Sequence, residues 1–219
     1  MIVQYPIKKK SNLPKVGQYM IDCNTFVDEP NEVERHIGVV FWSKPHDVRV
    51  MGITRQFTTL ALQATNSFLN VPFTGDGVFV TTDMNTASTH KDGYYATYNT
   101  TTPTACRYYA VAKAYSIEGA GCDSAGHWYV PSFGEYDVLA NDTTAYNNWI
   151  AATRIETGQR YSFTTSTLNK CDGSVPAGDP ANGVWCYPFI GTSSTSILIS
   201  QQVLNSTYIC FFALKIDIS

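Results

Sequence analysis

The chain is short of charge. Only 15% of its 219 residues are Asp, Glu, Lys or Arg, against about 25% in an average soluble domain. Its surface must therefore be covered largely by Ser, Thr, Asn, Gln and Tyr, and the 14 tyrosines are the notable excess. A net charge of −3 leaves no nucleic-acid footprint. No apolar run reaches the roughly 18 residues that a membrane-spanning helix needs, so no membrane insertion is expected. The six cysteines include no C-x-x-C pair, which removes zinc-site spacing. The four histidines, at 36, 46, 90 and 127, fall in neither H-x-x-x-H nor H-E-x-x-H register, so no zincin is expected. G-x-S-x-G and phosphate-cradling glycine loops are missing as well. These absences lead to an expectation of no enzyme, no cofactor and no metal.

The charge that is present is uneven. Residues 1–60 carry 8 basic and 6 acidic side chains, and residues 61–219 carry 7 and 12. The early basic excess is Lys8-Lys9-Lys10, read as a solvated cluster. The segment Met1-Ile2-Val3-Gln4-Tyr5-Pro6 lacks a basic stretch followed by an apolar core, so no secretory signal is expected. The chain would then stay in the cell that makes it or leave without the secretion pathway, as a virion component released by lysis does. Cys106, Cys186 and Cys210 lie in apolar sequence and are expected as reduced, buried thiols. A Cys171–Cys186 disulfide is the alternative if maturation is oxidising.

Residues 1–16 read as an arm, and residues 17–64 as a small β-rich unit with strands at Gln18–Ile21, Ile37–Trp42 and Val48–Ile53. Residues 65–103 show little periodicity and read as a loop-rich connection with short strands such as Gly77–Val80. After Pro103 the pattern becomes helical, with Ala105, Tyr108, Ala112 and Tyr115 on one face and Gly119 as the stop. A strand at Trp128–Val130, a helix from Ser132 to Ala140 and a helix from Thr144 to Thr157 follow. Strands are then expected at Tyr161–Ser166, Gly183–Tyr187, Ile197–Ile199 and Tyr208–Ile216. The last run is apolar on both faces near its middle, which predicts a central strand.

The densest signal is Gly126-His127-Trp128-Tyr129-Val130-Pro131-Ser132-Phe133-Gly134-Glu135-Tyr136. It places a strand, a proline stop and a helix start in immediate succession. Ser132 and Glu135 have the S-x-x-E spacing of a capping box, so Glu135 is a helix cap before it is an acid catalyst. This G-x-W-Y-[LV]-P-S-x-x-E pattern resembles the central signature of the C-type lectin fold in its formylglycine-generating-enzyme and retroelement-variable-protein branch, found in gut Bacteroidales and their phages. Ile37-Gly38-Val39-Val40-Phe41-Trp42 resembles the run that often precedes such modules. Tyr161–Ser166 matches the Y-W-S-S-[ST] strand in part, and Tyr208–Leu214 lacks the Arg-Pro of the usual terminal strand. The resemblance implies an α+β chain: a C-type lectin-like domain at residues 104–219, preceded by the small β-rich unit.

The residues bear on three chemistries. A formylglycine-type oxidase needs a reactive cysteine pair, and Cys186 and Cys210 sit in apolar settings that make thiols inert. Calcium-dependent sugar binding has Glu29-Pro30-Asn31 in its favour, but that triplet lies far upstream and reads as a turn. Asp172, Asp179 and Asn182 are loose ligands for such an ion. The weight falls on composition. Residues 173–214 hold one charged side chain, Asp179, and residues 161–208 hold 14 Ser and Thr. Tyr and Trp with Ser and Asn are the chemistry of an evolved binding surface. Asn169, Asp172, Trp185, Tyr187, Gln201, Asn205 and Tyr208 are the expected ligand-binding residues. The same low charge also fits burial in a homo-oligomer. Asn99, Asn141 and Asn205 begin glycosylation sequons and read as ordinary loop residues.

The expected role is a non-enzymatic phage virion component of head- or tail-fibre type. It would bind a cell-surface glycan or protein receptor and hold other virion proteins through its N-terminal arm. A purely structural decoration protein and a bacterial cell-surface adhesin are the alternatives, with the oxidase last.

Overall fold

The computed structural model describes residues 13–30, 36–54, 56–58, 75–101, 108–117, 127–154, 161–169, 183–189 and 208–218. The fold is α+β. Its larger sheet has six strands in the order β2 (Thr25–Val27), β1 (Tyr19–Asp22), β3 (Gly38–Lys44), β4 (Asp47–Gly52), β10 (Ala213–Ile216) and β6 (Trp128–Tyr129). All neighbours in it are antiparallel. A second sheet runs β5 (Gln56–Thr58), β9 (Tyr208–Cys210), β7 (Tyr161–Asn169) and β8 (Gly183–Phe189). Strands from the expected β-rich N-terminal stretch and from the expected C-terminal domain thus lie side by side in one sheet.

The β3–β4 hairpin forms where Pro45-His46 predicts a turn. Lys44 pairs with Asp47, and His46 takes a left-handed φ of 62°, the conformation a type II turn needs at the residue after its proline. A bulge between Val40 and Trp42 makes Phe41 an extra residue on β3. Side chains alternate across the sheet. Val40, Val48, Val50, Trp128 and Leu214 fill one core. Val39, Phe41, Met51, Tyr129 and Ala213 fill the other. Both faces of the sheet are covered, which is why its strands read as nearly unbroken apolar runs.

The terminal apolar run departs from expectation in an informative way. It forms two strands. Tyr208–Cys210 belongs to the second sheet and Ala213–Ile216 to the first, with Phe211 and Phe212 at the crossing. Each half is internal to its sheet, so the prediction of a central strand holds twice. The crossing sends the two phenylalanines to different cores: Phe211 against Trp149 and Phe163, and Phe212 against Tyr115. Full burial of a side chain this size contributes about 1.5–3 kcal/mol.

The helices are α1 (Met84–Thr89), α2 (Gly93–Asn99), α3 (Tyr108–Ala114), α4 (Phe133–Asn141) and α5 (Thr143–Thr153). The first two lie in the stretch expected to be loop. They are six and seven residues long, too short to show a helical period. Aspartates mark their starts: Asp83 accepts from the Thr86 amide and Asp92 from the Tyr95 amide, the expected N-cap chemistry. In α3 the buried positions are Tyr109 and Ala112. Helix α5 starts on Asp142, which accepts from the Ala145 amide, and stops at Arg154 in a left-handed conformation. Its Trp149 indole donates to the Gly52 carbonyl at 3.0 Å, locking helix to sheet.

Cys23, in the β1–β2 turn, is disulfide-bonded. Cys210 is a buried thiol, as expected, with its Sγ 3.8 Å from the Thr164 and Phe211 carbonyls. The expected Ile197–Ile199 strand lies outside the described residues. No helix among the described residues is long and apolar enough to cross a membrane.

Candidate functional site

The signature segment builds one end of α4. Proline at 131 ends the strand, and Ser132 becomes the N-cap of a formed capping box. The Ser132 amide donates to Glu135 Oε2 at 2.8 Å. The Ser132 hydroxyl donates to the His90 carbonyl at 2.5 Å, so this serine also ties α4 to the end of α1. Glu135 is fully buried and saturated. Its Oε1 accepts from Arg49 Nη1 at 2.6 Å and from the Tyr129 hydroxyl at 2.8 Å. Its Oε2 also accepts from the Gly93 amide at 3.0 Å. One carboxylate thereby joins β4, β6, α2 and α4.

Two glycines permit this convergence. A Cβ on Gly93 would stand 2.5 Å from both Glu135 Oε2 and the Val130 carbonyl oxygen. A Cβ on Gly134 would stand 2.3 Å from the Ser88 carbonyl oxygen. Both neighbours are held by the fold, so the helices could not approach with any larger residue.

Arg49 is the counter-charge. Its Nε and Nη2 reach the two oxygens of Asp47 at 2.9 Å each, the bidentate arrangement that suits a guanidinium. Its Nη1 also donates to the Lys91 carbonyl at 2.6 Å. Burial works against the Arg49 charge, but the Asp47 hydrogen bond and the nearby Tyr129 and Glu135 raise its pKa. Burial, then the Glu135 charge, pushes the Tyr129 phenol well above its ordinary value. His90 packs flat on Phe79, with ring centroids 4.2 Å apart, and its Nδ1 lies 2.8 Å from Thr167 Oγ1. That oxygen also accepts from the Phe133 amide. Burial lowers the His90 pKa to about 4. The Glu135 carboxylate and the Arg49 guanidinium are matched by partners inside the protein, and the chemistry of this centre is that of a fixed internal brace.

On its other side α4 meets solvent. An open groove of about 690 Å³ runs between the end of α1 and α4. Ser88 and Lys91 line one wall, Asp137, Asn141 and Asp142 the other, and Val16 and Val138 supply apolar surface. Tyr187, from β8, closes in on the same helix. Its ring packs on Phe133 and Tyr136 at 4.9 and 5.7 Å, and its hydroxyl donates to Asp137 Oδ1 at 2.8 Å. Burial and the Asp137 hydrogen bond raise the Tyr187 pKa.

Of the sequence-predicted binding residues, Tyr187 is therefore placed, half-buried and bonded to a groove residue. For Asn169, Trp185 and Tyr208 the structure describes the backbone alone, on β7, β8 and β9. Asp172, Gln201 and Asn205 lie outside the described residues. One part of the compositional argument is corrected. Thr164, Thr165, Ser166 and Thr167 are buried at 0–5% exposure and serve the interior. The Ser166 amide bonds the Pro131 carbonyl, and Thr167 serves His90 and Phe133.

Sequence reasoning missed Arg49 and the groove. Arg49 had a signal: a lone cation inside Val48-Arg49-Val50 needs a buried partner. The groove had a weaker one, in that Asp137 and Asn141 are four residues apart and share a helix face. Cys186 and Cys210, the cysteines weighed as an oxidase pair, lie on β8 and β9. Their strands flank β7 on opposite sides, two strand spacings or about 9–10 Å apart. Among the described residues no group of three His, Cys, Asp or Glu is gathered to hold a metal. No family model, curated protein or solved structure matches the chain.

Proposed function

We propose that this chain is a non-enzymatic binding component of a phage particle, of head- or tail-fibre type, whose C-type lectin-like domain engages a host-surface receptor or glycan. The observation that carries the reading is the signature segment. Its strand, proline stop and capped α4 stand beside the terminal strand β10, and the buried brace around Glu135 makes α4 a rigid platform. The platform presents an open polar groove and a tyrosine from the charge-poor C-terminal half. Rigid support under an adaptable polar and aromatic surface is what a binding module requires. A disulfide at Cys23 fits work outside a reducing cytosol. The particle would be assembled in the host cytoplasm, with the N-terminal arm holding neighbouring virion proteins and copies of the chain forming a homo-oligomer.

The second reading is a decoration or assembly protein. The single charge in residues 173–214 favours it, since interface cores are depleted of charge. A bacterial cell-surface adhesin would use the same domain. One experiment orders these readings: binding of the purified chain to whole Bacteroidales cells and to a glycan array, with and without EDTA, alongside light scattering for the oligomer. Saturable binding that survives EDTA is expected. A stable oligomer that binds neither cells nor glycans would move the protein to the assembly class.

A further inference from the structure

We infer that the groove between α1 and α4 binds a neutral, hydroxyl-rich ligand the size of a short oligosaccharide, without a metal ion. This deepens the receptor reading by giving it a ligand class and an address, and it rests on that reading only for the source of the sugar. The groove's volume of about 690 Å³ lies inside the range of about 300–1,000 Å³ usual for small-molecule sites.

The lining decides the chemistry. Each of the two groove carboxylates is anchored through one oxygen. Asp137 Oδ1 takes the Tyr187 hydroxyl, and Asp142 Oδ1 takes the Ala145 amide. Their second oxygens make no hydrogen bond among the described residues, so two oriented acceptors are presented with little ordering cost. The Asn141 amide supplies both a donor and an acceptor, and the Lys91 ammonium supplies donors; both residues are exposed. Val138, on the same wall, offers an apolar strip for the C–H face of a sugar ring.

Other ligands fit less well. An anionic ligand would meet Asp137 and Asp142. An apolar one would desolvate both carboxylates without replacing their water hydrogen bonds. A divalent cation would find two acidic groups where it needs at least six oxygen ligands.

The test is calorimetric titration of the full chain with neutral gluco-, galacto- and manno-oligosaccharides and with sialylated or sulfated counterparts, with and without EDTA. The variants are Asp137→Asn, which still accepts from Tyr187, and Asn141→Ala, whose side chain makes no hydrogen bond among the described residues. At least one neutral oligosaccharide should bind whether or not EDTA is present. Each variant should weaken that binding about tenfold, the loss of one hydrogen bond to a charged or amide partner, while the melting temperature stays put. Three results would overturn the inference: no neutral sugar binding, binding indifferent to both substitutions, or loss of binding in EDTA. Failure of the groove is separable from failure of the receptor reading. Cell binding that survives both groove variants but is lost in Trp185→Ala or Asn205→Ala would retain the receptor and discard this site.

Discussion

Helix α4 carries two acids two residues apart with opposite fates. Glu135 points inward, is fully buried, and accepts hydrogen bonds from four residues, on β4, β6, α2 and the N-cap of its own helix. Asp137 points outward, accepts one hydrogen bond from Tyr187, and lines an open groove. The residue type is nearly the same; the surroundings assign the role. A carboxylate surrounded by donors holds the fold together, and a groove-wall carboxylate whose second oxygen has no hydrogen bond among the described residues can offer it to a ligand.

The sharpest way to break the comparison is to unpair the inner acid. Arg49→Ala leaves Glu135 buried without its counter-charge and should cost about 3–5 kcal/mol of stability, read by chemical denaturation. Gly93→Ala should come next. Its new methyl would press on Glu135 and on the Val130 carbonyl, and overpacking of this kind costs about 1–3 kcal/mol.

The same centre predicts a pH dependence. Folded His90 holds its neutral form down to about pH 4, against 6.5 for the free side chain. The unfolded chain therefore takes up a proton between those values while the folded chain does not. Stability should fall as the pH drops from about 6.5 to about 4, by on the order of 3 kcal/mol in all, and this group should contribute no slope above pH 7. His90→Gln should flatten that window in a melting-temperature series; an unchanged slope would move the effect to another group.

Smaller effects belong to the outer side. Tyr187→Phe removes the hydroxyl on Asp137 and should cost about 1 kcal/mol or less, because the residue is half-buried and its ring contacts remain. Smallest of all, Asp217→Asn breaks the exposed pair with His46 and should shift stability by less than about 0.5 kcal/mol.

Much of the inner side was legible in the sequence. The S-x-x-E spacing located the start of α4 because a capping box demands those two residue types three positions apart. The apolar runs located β3, β4 and the terminal strands because both faces of their sheet are covered. Three things were not legible. Helices α1 and α2 are too short to display a period and announce themselves only by Asp83 and Asp92. The division of the terminal run between two sheets depends on Phe211 and Phe212 turning into different cores, and alternation alone cannot show a crossing. The buried threonines of β7 looked like surface, since composition does not record that Thr167 is needed by His90 and by the Phe133 amide. The groove was hidden for a similar reason: Ser88 and Lys91 meet Asp137 and Asn141 only after α1 packs on α4.

The most direct test of the division between brace and groove is one set of denaturant unfolding curves comparing Glu135→Gln with Asp137→Asn. Both remove one negative charge from the same helix with almost no change in shape. The account predicts that Glu135→Gln lowers the unfolding midpoint strongly, because its amide cannot accept from all four donors, and that Asp137→Asn leaves the midpoint within error of the parent chain. Equal midpoints for the two variants, or a larger loss in Asp137→Asn, would contradict it.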